Sequence, residues 1–291
     1  MSRLFIFFQY LLPHHLLSRM VGKLARSKFC RKAFIGFFIR RYKVDLSEAA
    51  IQDPAAFENF NAFFTRELQP GARAIDEDKS TVISPADGAI SQLGEIEQGK
   101  LLQAKGRYYN LEDLLGGDSA MADLFQEGSF ATVYLSPRDY HRVHMPLAGI
   151  LRKTIYIPGA LFSVNHTTAQ SVNNLFARNE RLVCLFDTVS GPMAVILVGA
   201  MIVAGIDTVW SGEVCPRKGR REILTQTYED KALPVNLNKG EEMGRFKLGS
   251  TAIVLFSHGS VTLDEKLEAS SPVRVGQKLG TLLNAQRNDE H

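Results

Sequence analysis

From about residue 80 onward the apolar residues gather in runs of strand length. Val82-Ile83, Gly88-Ala89-Ile90, 130–135, Gly149-Ile150-Leu151, 181–186, 193–198 and 252–256 are the strand candidates, with Gly, Pro and Asn between them. Only 111–115 and 168–176 carry short helical patterns in this half. A parallel sheet needs a long crossover, usually a helix, between consecutive strands. That regular alternation is missing, so the pattern predicts an α+β protein with a mainly antiparallel β core.

The first 68 residues have a different character and are read as a separate helical region, with the β-rich core over 69–291. Residues 1–44 contain neither Asp nor Glu but carry ten Lys and Arg residues among runs such as Leu4-Phe5-Ile6-Phe7-Phe8 and Phe34-Ile35-Gly36-Phe37-Phe38-Ile39. Neither run reaches the roughly 20 apolar residues that span a bilayer. Two or three short interfacial helices are expected, apolar faces in the acyl boundary and basic residues on anionic headgroups. This implies a peripheral location on the cytoplasmic side of the cell membrane. Asp53-Pro54 is read as the start of a helix running to Phe64, with Phe57, Phe60 and Phe64 turned to a core.

Composition constrains the partners less. The net charge of +3 is small, and no nucleotide-binding glycine loop occurs, so no nucleic acid is expected. Cys30, Cys184 and Cys215 form no CxxC pair, which argues against a disulfide framework or zinc site. No clear cluster of metal ligands stands out, so no metal is expected.

The stretch Phe246-Lys247-Leu248-Gly249-Ser250-Thr251 carries the chemistry. Gly249 leaves its carbonyl open to close approach. The Ser250 hydroxyl lies one residue beyond that carbonyl. Once a base removes its proton, Oγ can attack the Gly249 carbonyl and turn the peptide bond into an ester. Elimination then breaks the chain and leaves dehydroalanine, which hydrolyses to a pyruvoyl group and ammonia. A serine needs a base, and His is the usual one because its ordinary pKa of about 6.5 is near working pH. His141 and His144 flank Arg142-Val143, and Asp87 sits in the turn Ser84-Pro85-Ala86-Asp87-Gly88. On the residues alone, a conventional serine hydrolase, a pyruvoyl enzyme for a free amino acid and a non-catalytic membrane-binding β module all stay open. No Gly-x-Ser-x-Gly elbow favours the first.

Leu248-Gly249-Ser250-Thr251 together with Ser84-Pro85-Ala86-Asp87-Gly88 and Tyr140-His141-Arg142-Val143-His144-Met145-Pro146 resembles the short bacterial type of phosphatidylserine decarboxylase. The likeness extends through Phe63-Phe64-Thr65-Arg66-Glu67-Leu68 and 157–165, in the expected order. It implies self-cleavage between Gly249 and Ser250 into a beta chain, 1–249, and an alpha chain, 250–291. By resemblance His144 matches the base of the self-cleavage triad, Asp87 its orienting carboxylate and Ser250 its nucleophile. His141 is assigned to the later decarboxylation, contacting substrate or protonating the product carbon. Ser163 and Asn165 are candidate headgroup contacts. The pyruvoyl group derived from Ser250 would form a Schiff base with phosphatidylserine and release carbon dioxide and phosphatidylethanolamine, with no external cofactor. A homodimer is the family expectation. The stretch 273–282 also resembles the turn-strand pattern of biotinyl and lipoyl carrier domains, which implies a barrel-sandwich-hybrid type of β architecture. An alpha chain of that size is too small to fold alone and must stay interleaved with the core.

Overall fold

The strand Ser250–Phe256 lies in the middle of a nine-stranded sheet, paired antiparallel along its whole length to Gly191–Gly199 on one side and Ser129–Leu135 on the other. All seven of its residues are buried. The sequence explains the position. Ala252-Ile253-Val254-Leu255-Phe256 is apolar on both faces, which suits a strand covered on both sides rather than one with a wet face. The computed structural model describes residues 9–10, 14–28, 31–201, 205–215, 222–228, 234–247 and 250–283.

Outward from the centre, the sheet continues through Arg181–Thr188 and Gly149–Ile157 to the short Leu224–Thr227 and Asn236–Leu237 on one side. On the other it continues through Gly88–Glu95 to Pro272–Val273. Every pairing is antiparallel. Because side chains alternate along a strand, the sheet divides two apolar cores. Ala252, Val254 and Phe256 enter one, with Val143, Met145, Met243 and Phe246. Ile253 and Leu255 enter the other, with Leu111, Leu114, Phe162 and Phe176.

Over the first core lies a four-stranded sheet in the order Gly212–Cys215, Ile206–Thr208, Glu242–Phe246, Arg142–His144. Thr81–Ile83, Lys278–Leu282 and Val261–Leu263 make a three-stranded sheet, and Lys100–Ala104 pairs with Arg107–Asn110. The mainly antiparallel α+β class expected from the sequence is the class observed.

A third apolar cluster belongs to the N-terminal region. Helices His14–Arg26 and Arg31–Tyr42 pack on the short helix Phe60–Phe64 through Ala25, Ile35, Phe38, Phe57, Phe60, Phe63 and Phe64. Two helix readings need correction. The helix expected from Pro54 begins only at Phe60, because Asn59 supplies the cap by accepting a hydrogen bond from the Ala62 N–H at 3.0 Å. Asp53 instead closes a local turn by accepting from the Ala55 N–H at 2.9 Å. Residues 168–176 are not one helix but the ends of two, His166–Ala169 and Leu175–Arg178, interrupted by Asn174 in a left-handed conformation at φ 55°. None of the helices among the described residues is long and apolar enough to cross a membrane.

Candidate active site

Two strands aim the expected residues at one end of the main sheet. Gly88–Glu95 and Ser250–Phe256 both run antiparallel to Ser129–Leu135, so they run parallel to each other. Ala89, Tyr134 and Thr251 lie abreast across the three. Asp87-Gly88 and Ser250 therefore begin their strands at the same end, two strand spacings or about 10 Å apart. Gly88 is required there. A Cβ on it would stand 2.2 Å from the Tyr134 carbonyl oxygen.

Ser250 is completely buried, and among the described residues its Oγ has no hydrogen-bond partner. Buried hydroxyls are normally satisfied, so an orphan of this kind calls for an explanation. By the alternation of the strand its side chain faces the same way as Ala252 and Val254, toward the core that holds Val143, Met243 and Phe246. That is the side covered by the sheet whose strand Arg142–His144 carries His144 and directly follows His141. Leu248 and Gly249, including the expected cleavage bond, lie outside the described residues.

His144 pairs with Glu242 across that sheet, and its backbone N–H donates to the Pro85 carbonyl at 2.8 Å, which ties it to the Asp87 turn. Its Nδ1 lies 2.8 Å from the Gly240 carbonyl and its Nε2 3.1 Å from the Tyr140 hydroxyl. A carbonyl can only accept, so Nδ1 carries the proton, Tyr140 donates, and Nε2 keeps its lone pair. Burial pushes the His144 pKa below its ordinary value, partly offset by the Gly240 carbonyl and by the charges of Glu242 and Asp87. A neutral imidazole with an unprotonated Nε2 is the form a general base requires.

Asp87 is held differently from the expected pattern. Its Oδ1 accepts from Arg73 Nε at 3.0 Å and from the Val275 N–H at 2.9 Å, and a second Arg73 nitrogen closes a forked ion pair on Oδ2. Arg73 also reaches Glu48 at 2.9 Å. In this arrangement the Gly240 carbonyl and the Tyr140 hydroxyl orient the His144 ring, while Asp87 acts on it through space. Arg73, Tyr140 and Gly240 were not singled out from the sequence. The only available signal was their closeness to the motifs they serve.

His141 is fully buried beside Phe64, with ring centroids 3.9 Å apart. Its Nδ1 donates to the Asp139 carbonyl at 2.8 Å, and its Nε2 has no partner among the described residues. Burial lowers its pKa to about 3, and the positive charge of Arg66 acts in the same direction. At neutral pH it is an uncharged acceptor, so any proton it gives to a product must first reach it during turnover. Its carbonyl accepts from the Phe246 N–H at 3.0 Å, four residues before Ser250. The two histidines thus share the Tyr140–Met145 segment but are held by separate partners.

Ser163 and Asn165 lie in a different setting. Asn165 caps the helix His166–Ala169, its Oδ1 accepting from the Thr168 N–H at 2.9 Å. The Ser163 N–H donates to Gln9 Oε1 at 2.8 Å, and Tyr10 packs on Phe162. Among the described residues no group of three or more His, Cys, Asp or Glu is placed to hold a metal ion.

Comparison with known proteins places the chain among named relatives. A protein-family model described as phosphatidylserine decarboxylase matches residues 60–281, and a second, described as PSD, matches residues 4–43. A phosphatidylserine decarboxylase proenzyme of Pseudomonas putida strain F1 is 59% identical over 287 residues, 98% of this chain and 99% of the relative. One from Pseudomonas aeruginosa strain PAO1 is 61% identical over 281 residues, 96% of each chain. One from Pseudomonas fluorescens strain Pf-5 is 60% identical over 282 residues, 96% of this chain and 97% of the relative. The chain belongs to the phosphatidylserine decarboxylase family.

Proposed function

We propose that this chain is a phosphatidylserine decarboxylase proenzyme that cuts itself between Gly249 and Ser250 and then converts phosphatidylserine to phosphatidylethanolamine and carbon dioxide. The observation that carries the reading is the Ser250 hydroxyl: wholly buried, without a partner among the described residues, and first in the central strand just after a glycine. His144 is the base. It takes the Ser250 proton on Nε2 once the Tyr140 hydroxyl gives up that lone pair, and the Gly240 carbonyl keeps its other nitrogen protonated throughout. Oγ adds to the Gly249 carbonyl carbon, the carbon–nitrogen bond breaks, and the released amine takes up a proton. Removal of the Ser250 Cα proton then breaks the Cβ–Oγ bond and frees a Gly249 carboxylate. The dehydroalanine so formed tautomerises to an imine, water adds to it and ammonia leaves, and the resulting pyruvoyl group supplies the electron sink for decarboxylation. An orphan hydroxyl with no competing partner fits that fate. Asp87, fixed by Arg73 and the Val275 N–H, supplies negative charge that stabilises the imidazolium while it exists. His141 serves decarboxylation, and Ser163 and Asn165 stand near the headgroup.

The two products stay together as one unit. Ser250–Phe256 has neighbours on both sides that belong to the larger fragment, which supports an interleaved alpha chain within a core over 69–291. The small sheet of Thr81–Ile83, Lys278–Leu282 and Val261–Leu263, together with Pro272–Val273 on Gly88-Ala89, favours a barrel-sandwich-hybrid description.

The N-terminal helices bind the anionic, cytoplasmic face of the cell membrane. Leu16, Met20 and Leu24 recur every fourth residue on helix His14–Arg26 and are each at least 50% exposed, as is Phe37 on the next helix. Lys23, Arg26, Lys32, Arg40 and Arg41 are exposed around them. Bulky apolar side chains ringed by cations suit an anionic interface. A homodimer is part of the same family reading.

Mass measurement of the denatured wild-type chain beside Ser250→Ala, with carbon dioxide release from phosphatidylserine vesicles, tests the proposal. Two fragments meeting at Gly249-Ser250, the smaller lacking an N-terminal amine, are expected only from the wild type. An intact wild-type chain that releases no carbon dioxide would defeat it.

A further inference from the structure

The segment Phe64-Thr65-Arg66-Glu67 grips the chain on both sides of His141. Phe64 lies against the imidazole itself. The Thr65 carbonyl accepts from Arg142 Nε at 2.9 Å, and Glu67 pairs with the same guanidinium at 3.1 Å. Arg66 takes the other side. Its Nη2 donates to the carbonyls of Arg138 at 3.1 Å and Asp139 at 3.4 Å. The Asp139 carbonyl is also the acceptor for His141 Nδ1.

A buried arginine that gives its hydrogen bonds to backbone carbonyls is costly unless it secures something. Only 6% of Arg66 is exposed, and among the described residues no carboxylate forms an ion pair with it and its Nε lacks a partner, while the charges of Asp87 and Asp139 act on it through space. Two donors on one carbonyl fix that carbonyl's direction, and a fixed acceptor dictates which imidazole nitrogen holds the proton. The other charged groups nearby are committed elsewhere. Asp139 accepts from the Ser136 N–H at 2.7 Å, and Arg142 is paired with Glu242 at 2.7 Å. Arg138 points to its neighbour Asp139 at 3.8 Å. The positive charge acting on the His141 ring is that of Arg66.

We infer that Arg66 is a positioning residue for His141, holding the Asp139 carbonyl so that Nδ1 is protonated and Nε2 is left bare for decarboxylation. The inference rests on the reading that His141 serves that step. It separates Arg66 from a headgroup contact, since the guanidinium is buried and its Nη2 is committed to the protein's own backbone.

The test uses Arg66→Met and Arg66→Lys in the full chain, with decarboxylation rates expressed per cleaved chain. Arg66→Met should lower kcat by about 10- to 100-fold with KM little changed, the mark of a group that acts in the transition state rather than in binding. It should also shift the acid limb of kcat to higher pH, because His141 loses the charge that opposes its protonation. Arg66→Lys, which keeps the charge, should leave the limb in place and recover most of the rate. A rise in KM at constant kcat would reassign Arg66 to the headgroup and overturn the inference. So would a loss of rate with an unmoved limb and no rescue by lysine, which is a purely structural effect. Nitrogen-15 spectra of the histidines in Ser250→Ala, needing no change at Arg66, should show His141 protonated at Nδ1; protonation at Nε2 would refute the inference directly. Full decarboxylation by His141→Asn would instead remove the parent reading.

Discussion

The central strand Ser250–Phe256 and the N-terminal helix His14–Arg26 treat apolar side chains in opposite ways. The strand buries every residue between two long antiparallel partners. The helix buries Ala25 but leaves Leu16, Met20 and Leu24 in the open. The strand can hold a reactive serine in one geometry because close packing and a full hydrogen-bond ladder restrain it. The helix cannot restrain anything so tightly, but it offers apolar surface that water does not favour and a lipid interface would accept. The proposed chemistry thus sits in the most enclosed element of the chain and the proposed lipid contact in an exposed one. The Phe60–Phe64 helix stands between the N-terminal helices and the histidine segment, with Phe64 touching Phe38 of helix Arg31–Tyr42 on one side and His141 on the other.

The largest effect should come from the strand. Ser250→Ala is expected to abolish both chain cleavage and carbon dioxide release while leaving vesicle binding intact, as read by mass, activity and co-sedimentation. If vesicle binding disappeared with cleavage, the two regions would not be separable. His141→Asn should cut decarboxylation about 100-fold or more, as for loss of a proton-handling group, with cleavage still going to completion on gels. Failure to cleave would place His141 in the first reaction.

On the helix side, changing Leu16, Met20 and Leu24 together to Glu should lower partitioning onto anionic vesicles by about 10-fold or more. Each removes an apolar group worth roughly 1.5 kcal/mol or more when fully buried, and adds a repelled charge. The melting temperature should scarcely change, because exposed sites seldom alter stability by more than about 0.5 kcal/mol. A large drop in melting temperature would mean that these residues are covered by protein and not by lipid. Gly88→Ala makes the opposite demand. The added Cβ meets the Tyr134 carbonyl at 2.2 Å, and overpacking of this kind costs about 1–3 kcal/mol. Calorimetry should show that loss, and slower self-cleavage should accompany it.

The smallest expected change concerns pH. Burial lowers the His144 pKa below its ordinary value, so more than half of the imidazole is neutral in the folded chain at about pH 6.5. The acid midpoint of self-cleavage should therefore lie below about 6.5, where the folded-state pKa is crossed. A time course of intact mass would show a decline centred above 6.5 if His144 is not the base. Buried neutral His141 imposes a related trend on stability. Its folded pKa of about 3 lies below the unfolded value of about 6.5, so the unfolded chain takes up the proton first. Stability should fall as pH drops below about 6.5 and continue to fall toward about 3.

The sequence by itself determined the class of fold, because the period of the apolar residues and the absence of regular crossovers are local facts. Residues 130–135, 181–186, 193–198 and 252–256 are strands where the apolar runs predict them, since such runs can bury both faces only inside a sheet. Short strands of mixed character, such as Ile206–Thr208 and Arg142–His144, were not legible, because pairing with the sequence-distant strand Glu242–Phe246 helps to create them. The candidate bond Gly249-Ser250 and the candidate histidines were named from residue type together with the family resemblance. Only the tertiary structure decided who holds whom. It joined Asp87 to Arg73 rather than to His144, gave His144 to Gly240 and Tyr140, and set Phe64 and Arg66 around His141. A side chain's partner depends on which backbone carbonyl or charge the folded chain brings within about 3 Å. Spacing along a sequence fixes that only within a single turn or strand.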